Sequence, residues 1–227
     1  MKIVSWNTSG AFRNKFRKLM ELDADVYVVI ECENPKFVKD SEFHKIVDNR
    51  IWYGGSDHKG LMIFSPKSDI TIERLDWGDS SYRYFLPVRI NNNIKLVGAW
   101  ACNPYCAELF DWLKSVEHHL SKDTIIIGDL NSSAVFDRKY KNSNKGKRFS
   151  DCLSLLGKHG IEGIWHHHKK EEHGHESCPT FYLYRHLDRG YHIDHCLASP
   201  DIVKSIAINA RWQWLQLSDH LPLEIIV

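Results

Sequence analysis

Short apolar runs recur along this chain, most of them shorter than a helix needs. Residues 2–6 predict a strand, and 25–31 and 124–127 predict strands apolar on both faces, as interior strands are. Residues 60–64 and 70–75 predict two more. Segments 82–90 and 94–100 flank Asn91-Asn92-Asn93, residues suited to positive φ, and predict a hairpin. Segments 180–184, 192–198, 205–210 and 221–227 complete the expected strands. Helical spacing appears in three places. It runs over 11–22 (Phe12, Phe16, Leu19, Met20), over 107–120 (Leu109, Phe110, Leu113, Val116, Leu120) and over about 149–159 (Leu153, Leu155, Leu156). The charged, Asn-rich stretch 137–148 predicts a loop. No linker or shift of composition divides the chain, so one domain over 1–227 is expected. The strand, polar loop and helix around Trp6-Asn7 are echoed around 129–131, which suggests two packed βα halves.

Several of these runs end in the same kind of chemistry. Ser5-Trp6-Asn7 follows Lys2-Ile3-Val4, Glu31 follows residues 26–30, and Gly128-Asp129-Leu130-Asn131 follows residues 124–127. Ser218-Asp219-His220-Leu221-Pro222 comes just before the last strand. Carboxylate, amide and imidazole groups cost free energy when buried unpaired. Their repeated placement at strand ends therefore points to one shared polar site. Each has a plainer explanation alone: Asn7 as a helix cap, Gly128-Asp129 as a strand terminator, Asp219 as a turn residue.

Composition narrows the field only a little. The 227 residues can bury a large core without disulfides. Lys+Arg 30 against Asp+Glu 29 gives a net charge of +1, so any nucleic-acid contact should be local. Cys32, Cys102, Cys106, Cys152, Cys178 and Cys196 include no C-x-x-C pair and are expected as free thiols in a reducing compartment. Residues 1–30 lack the features of a signal peptide, and no apolar run approaches the roughly 18 residues of a membrane span. A cytoplasmic protein without a membrane partner is expected.

Glu31, Asp129, Asp194 and Asp219 offer hard oxygen donors, which suit Mg²⁺ or Mn²⁺ better than zinc. Such a cation neutralises a phosphate oxygen and stabilises a leaving oxyanion. Asp129 could activate water, Asn131 could orient it, and His220 could donate to the phosphate while Asp194 holds its other ring nitrogen.

The ordered set strand-WN, strand-E, strand-GDxN, xID and SDH-x-P resembles the endonuclease/exonuclease/phosphatase superfamily, the fold of exonuclease III, apurinic/apyrimidinic endonucleases and DNase I. The resemblance runs from residue 3 to residue 222 and implies an α/β four-layer α/β/β/α sandwich of two mixed sheets flanked by helices. It implies Asn7, Glu31 and Asp219 near the metal, and Asp129, Asn131, Asp194 and His220 as the catalytic group. Asn103 matches a phosphate-contacting position. Two departures matter. Ser9 stands where repair enzymes carry Asp, and Trp100 stands where Tyr or His is usual. An indole N–H can donate a hydrogen bond but cannot transfer a proton. His192 replaces a common Arg, and His195 a common aromatic residue.

By position, Phe181, Tyr191 and Ile193 resemble the pocket for a flipped sugar, with sheet core as the alternative. Arg138-Lys139-Tyr140-Lys141 and Lys145-Gly146-Lys147-Arg148 could contact phosphates or be a solvated loop. His166-His167-His168, with His173 and His175, has the make-up of a transition-metal tract, but its charged neighbours favour an exposed loop. His58 is a candidate for the substrate rim. The expected function is a Mg²⁺- or Mn²⁺-dependent phosphodiesterase acting on DNA or RNA. A phosphatase or phosphodiesterase on a small phosphoester is the alternative, and an inactive binding module is a more distant one.

Overall fold

A computed structural model describes residues 1–78, 81–137 and 147–227. The first half contributes β1 (Lys2–Asn7), β2 (Val26–Cys32), β3 (Asn49–Ser56), β4 (Lys59–Ser65), β5 (Ile72–Arg74), β6 (Phe85–Ile90) and β7 (Ile94–Trp100). The second half contributes β8 (Thr124–Asp129), β9 (Glu162–Gly163), β10 (Phe181–Tyr182), β11 (Gly190–Tyr191), β12 (Asp194–Ala198), β13 (Ser205–Ile208) and β14 (Leu223–Ile226). The helices are α1 (Phe16–Met20), α2 (Ser41–Ile46), α3 (Cys106–Ser115), α4 (Phe149–Gly157), α5 (Ile164–Lys169) and α6 (Arg211–Trp214). Among the described residues no helix is long and apolar enough to cross a membrane.

Two six-stranded mixed sheets form, ordered β13-β14-β1-β2-β4-β3 and β5-β6-β7-β8-β12-β9. Each has one parallel pair near its centre, β1 with β2 and β7 with β8. The two segments that echo each other in the sequence are not equivalent here: β1 is the first strand of its parallel pair and β8 the second of its own. Side chains alternate along each strand, so one set from each sheet meets in the middle. Val28, Ile30, Leu61 and Ile63 of the first sheet pack there with Leu86, Val88, Leu96, Ile125 and Ile127 of the second. The opposite set faces outward under helices. Val4, Trp6, Tyr27 and Val29 lie against Phe12, Phe16 and Phe43, and Val97, Ile126 and Leu197 against Leu109, Leu113 and Leu156. The result is the expected four-layer α/β/β/α sandwich.

Some elements differ from expectation. The helix expected over 11–22 is a 3-10 turn at Phe12–Asn14 and then α1, broken at Lys15 (φ −121°). Glu33 holds the turn by accepting from the Phe12 and Arg13 N–H groups at 2.9 and 3.0 Å. The strand expected over 180–184 is only Phe181–Tyr182, because the chain turns at Tyr184 with φ 54°. The Asn91 and Asn92 turn has φ 48° and 57°, as a tight hairpin requires. β3 was not legible: it is an edge strand, half-buried or exposed throughout, and lacks an apolar alternation. The segment at 164–169 is helix α5, with His166 buried rather than in an exposed loop. All six cysteines are unpaired. Most of the predicted basic loop, 138–146, lies outside the described residues.

Candidate active site

The site forms at one end of the two central strand pairs, where their polar ends converge. Gly128 makes this possible in the second sheet. Its φ is +149°, and a Cβ there would lie 2.0 Å from the Ala99 carbonyl oxygen, so no side chain fits. Asp129 follows, buried to 1% exposure. Asn131 sits at φ 46°, a left-handed conformation that Asn tolerates. Its backbone N–H donates to Asp129 Oδ1 at 2.9 Å and its Nδ2 donates to Asp129 Oδ2 at 3.1 Å.

In the first sheet, Glu31 is the extra residue of a β-bulge: Ile30 pairs with Leu61 and Cys32 with Gly60, which leaves Glu31 (φ 58°) unpaired. A bulge re-aims a side chain at a strand end. Asn7 then bridges the sheets. Its Nδ2 donates to Glu31 Oε1 at 3.2 Å and to Asp129 Oδ2 at 2.9 Å. Its Oδ1 accepts from the Ser9 N–H at 2.9 Å, which is how exposed Ser9 reaches the site. The outer oxygen of Glu31 pairs with Lys59 Nζ at 2.5 Å. Lys59 was not singled out in the sequence, because nothing local marks it; the β3–β4 turn brings it in.

His220 Nδ1 donates to Asp194 Oδ2 at 2.8 Å. Its Nε2 lies 3.8 Å from Asp129 Oδ2, beyond a good hydrogen bond, and so stays free to donate elsewhere. The first strand holds this imidazole in place. Trp6 Nε1 donates to the His220 carbonyl at 2.9 Å, and Ser218 Oγ donates to the Asn7 carbonyl at 2.7 Å. Thr180, missed in the sequence, fixes the partner: its Oγ1 accepts from the Ile193 and Asp194 N–H groups at 3.1 and 2.9 Å.

The electrostatics follow from burial and charge. Desolvation raises the Asp129 pKa to about 7; His220 opposes that rise and Asp194 adds to it. Burial opposes charge on His220, but Asp194 and Asp129 together lift its pKa to about 9. Burial thus makes Asp129 a stronger base than a free aspartate, while the two carboxylates favour the imidazolium form of His220, a pairing suited to general acid–base chemistry.

The other predicted residues lie around this centre. Asp219 is half-buried, and among the described residues its carboxylate accepts only a long 3.5 Å bond from Ser218 Oγ. Asn103 is exposed on the turn before α3. Trp100 is the register partner of Asp129, but its ring packs in the inner core, 4.5 Å from that of Tyr84. Phe181 lies 4.6 Å from the His220 ring. Phe181, Tyr191 and Ile193 line one cleft of about 350 Å³ together with Tyr105, Asn131 and Phe136. Leu183 also lines it, and beyond Leu183 the β10–β11 turn exposes Tyr184 and Arg185. His58 is exposed in the β3–β4 turn beside Lys59.

No protein-family model matches the chain, and no curated protein matches it by sequence. Solved structures match along its whole length. A 3′ phosphatase from Neisseria bound to a product DNA hairpin has a TM-score of 0.72 at 17% identity, with 100% of this chain and 98% of that chain covered. An AP endonuclease from Archaeoglobus fulgidus has a TM-score of 0.70 at 20% identity, with 100% and 98% covered. An AP endonuclease from Leishmania major has a TM-score of 0.70 at 15% identity, with 99% and 86% covered.

Proposed function

From the fold this chain shares with those proteins, the DNase I-like sandwich of the endonuclease/exonuclease/phosphatase superfamily, we propose that it is a divalent-metal-dependent phosphoesterase that hydrolyses phosphodiester bonds in nucleic acid. One observation carries the reading. His220 stands between Asp194 and Asp129, and Asn7 ties Asp129 to Glu31.

Asp129 takes the proton of the attacking water, and the amide of Asn131 orients that water. The imidazolium of His220 donates from Nε2 to a phosphate oxygen as its charge grows, while Asp194 keeps the ring aligned. Glu31 and Asp219 would hold the cation, with Asn7 fixing the Glu31 carboxylate. The donors fit a hard cation: they are carboxylate oxygens, and Glu31 already pairs with an ammonium. When bound there, Mg²⁺ or Mn²⁺ would neutralise a phosphate oxygen and stabilise the departing oxyanion. The Trp100 indole can donate a hydrogen bond but cannot transfer a proton, so the departing oxygen takes its proton from water.

The cleft has room for one sugar or nucleotide unit. Asn103, Ser9, Phe181 and Tyr191 are the proposed substrate contacts, and Tyr184 and Arg185 lie where a longer strand would pass. The cleft's size also favours the second reading, a small phosphoester. Purified protein with Mg²⁺ or Mn²⁺ should be offered plasmid, single-stranded DNA, abasic duplex, 3′-phosphorylated oligonucleotide, RNA, nucleotides and inositol phosphates. Cleavage of a polynucleotide supports the proposal. Turnover of the small compounds alone selects the second reading, and no turnover of any substrate removes both.

A further inference from the structure

Ser9, Gly10 and Ala11 follow one another in the left-handed region, at φ 51°, 78° and 53°. Two of the three carry a Cβ and are strained there, so the surroundings must hold them. The run begins two residues after Asn7, whose side chain joins the two sheets. Glu33 holds its far end through the Phe12 and Arg13 N–H groups. At its near end Thr8 is tied to β2: its N–H and its Oγ1 both donate to the Ile30 carbonyl, at 2.9 and 3.0 Å.

Lys15 closes the loop between these anchors. Its Nζ donates to the Thr8 carbonyl at 2.5 Å and to the Gly10 carbonyl at 2.8 Å. The left-handed turn aims both oxygens at one point, and an ammonium with three donors satisfies them together. Burial and then Arg185 push the Lys15 pKa down, while Asp219, Glu33 and Glu31 resist. Those charges place Lys15 beside the active site, although it belongs to none of the motifs at the strand ends.

What Lys15 holds bears on Asn7. The Ser9 N–H, which lies between the two clamped carbonyls, donates to Asn7 Oδ1 at 2.9 Å. That bond fixes which end of the amide faces the carboxylates. With Oδ1 held by Ser9, Nδ2 donates to Glu31 and Asp129. A rotated amide would turn an oxygen toward two carboxylates, which can only accept.

We propose that Lys15 is a positioning residue for the hydrolysis proposed above: it clamps the left-handed loop and so keeps the Asn7 amide donating to Glu31 and Asp129. The effect on rate rests on that hydrolysis; the clamp does not.

Two measurements test it. In Lys15→Met, amide exchange at residues 8–11 should quicken at least about tenfold, while exchange in β1 and β2 keeps its wild-type rates. On whichever substrate the wild type hydrolyses, kcat should fall roughly 10–100-fold, the scale of a misaligned catalytic group, with KM within about twofold. Lys15→Arg keeps the charge and the donors and should recover most of both. Arg17→Met, which removes a surface charge from the same helix, should match the wild type. The proposal is overturned if Lys15→Met leaves loop exchange or kcat unchanged, if β1 and β2 lose protection along with the loop, or if Lys15→Arg behaves as Lys15→Met does. A wild type inactive on every substrate removes the hydrolysis proposed above, and loop exchange then still decides whether Lys15 is the clamp.

Discussion

Asp194 and Asp129 are direct partners in the antiparallel register of β8 and β12. Two carboxylates placed opposite each other would repel. His220 relieves the repulsion: it donates to Asp194 and stands near Asp129, holding its proton up to about pH 9. The pairing of two strands thus prepares one base and one cation from three buried groups.

Asp129→Asn keeps the shape of the side chain and removes the base. Hydrolysis should fall by roughly 10²–10⁴-fold in single-turnover assays, the usual contribution of a positioned base. Tm should fall only modestly, because the loss of a desolvated carboxylate offsets the N–H donor of Asn7 or Asn131 that the new amide leaves unpaired. A variant that melts much lower would assign Asp129 a structural role instead.

The pH profile has a definite sign. Asp129 must be ionised, so activity should rise with pH, with a midpoint at or below about 7. A cation at Glu31 favours the carboxylate, so raising metal concentration should move that limb to lower pH. His220 must be protonated, so activity should fall as pH passes about 9. Its folded pKa lies above the ordinary 6.5, so its stabilising contribution is complete below that pH and is lost as pH rises through about 9. Asp194→Asn should bring the alkaline limb down; a profile unchanged in that variant would contradict the pairing.

Lys59 competes for Glu31. Lys59→Met should lower the metal concentration giving half-maximal activity by up to about fivefold, because a half-exposed ion pair is worth no more than ~1 kcal/mol. A weaker metal requirement would agree; a stronger one would mean that Lys59 supports the site.

Gly128→Ala should destabilise the chain by about 2–3 kcal/mol, the scale of overpacking against a backbone that cannot move aside. Denaturant melts would measure it. Little change would mean that the β7–β8 contact is looser than the close approach to Ala99 requires.

Tyr184→Ala with Arg185→Ala should raise KM for polynucleotides severalfold and leave turnover of a small phosphoester unchanged. These side chains are exposed at the β10–β11 turn beside the cleft. Equal effects on both substrate classes would place them within the chemistry or the fold.

The central strands were legible because they are apolar on both faces, and Asn7, Glu31, Asp129, Asn131, Asp194 and His220 because polar groups at strand ends stand out against such runs. β3 was not, since an edge strand covered on few sides needs no apolar pattern. The histidine segment misled for a related reason: local charge suggested solvent, while Trp165 and Ile164 drew α5 inward.

The sequence alone determined which residue types stand at the strand ends, because periodicity and the cost of burying polar groups are local properties. It could not determine who meets whom. The bulge that turns Glu31, the register that sets Asp194 opposite Asp129, the turn that delivers Lys59 and the stacking of His166 on His173 are contacts between distant segments. Only the packing of two sheets and their covering layers decides those contacts, since each depends on the positions of several strands at once.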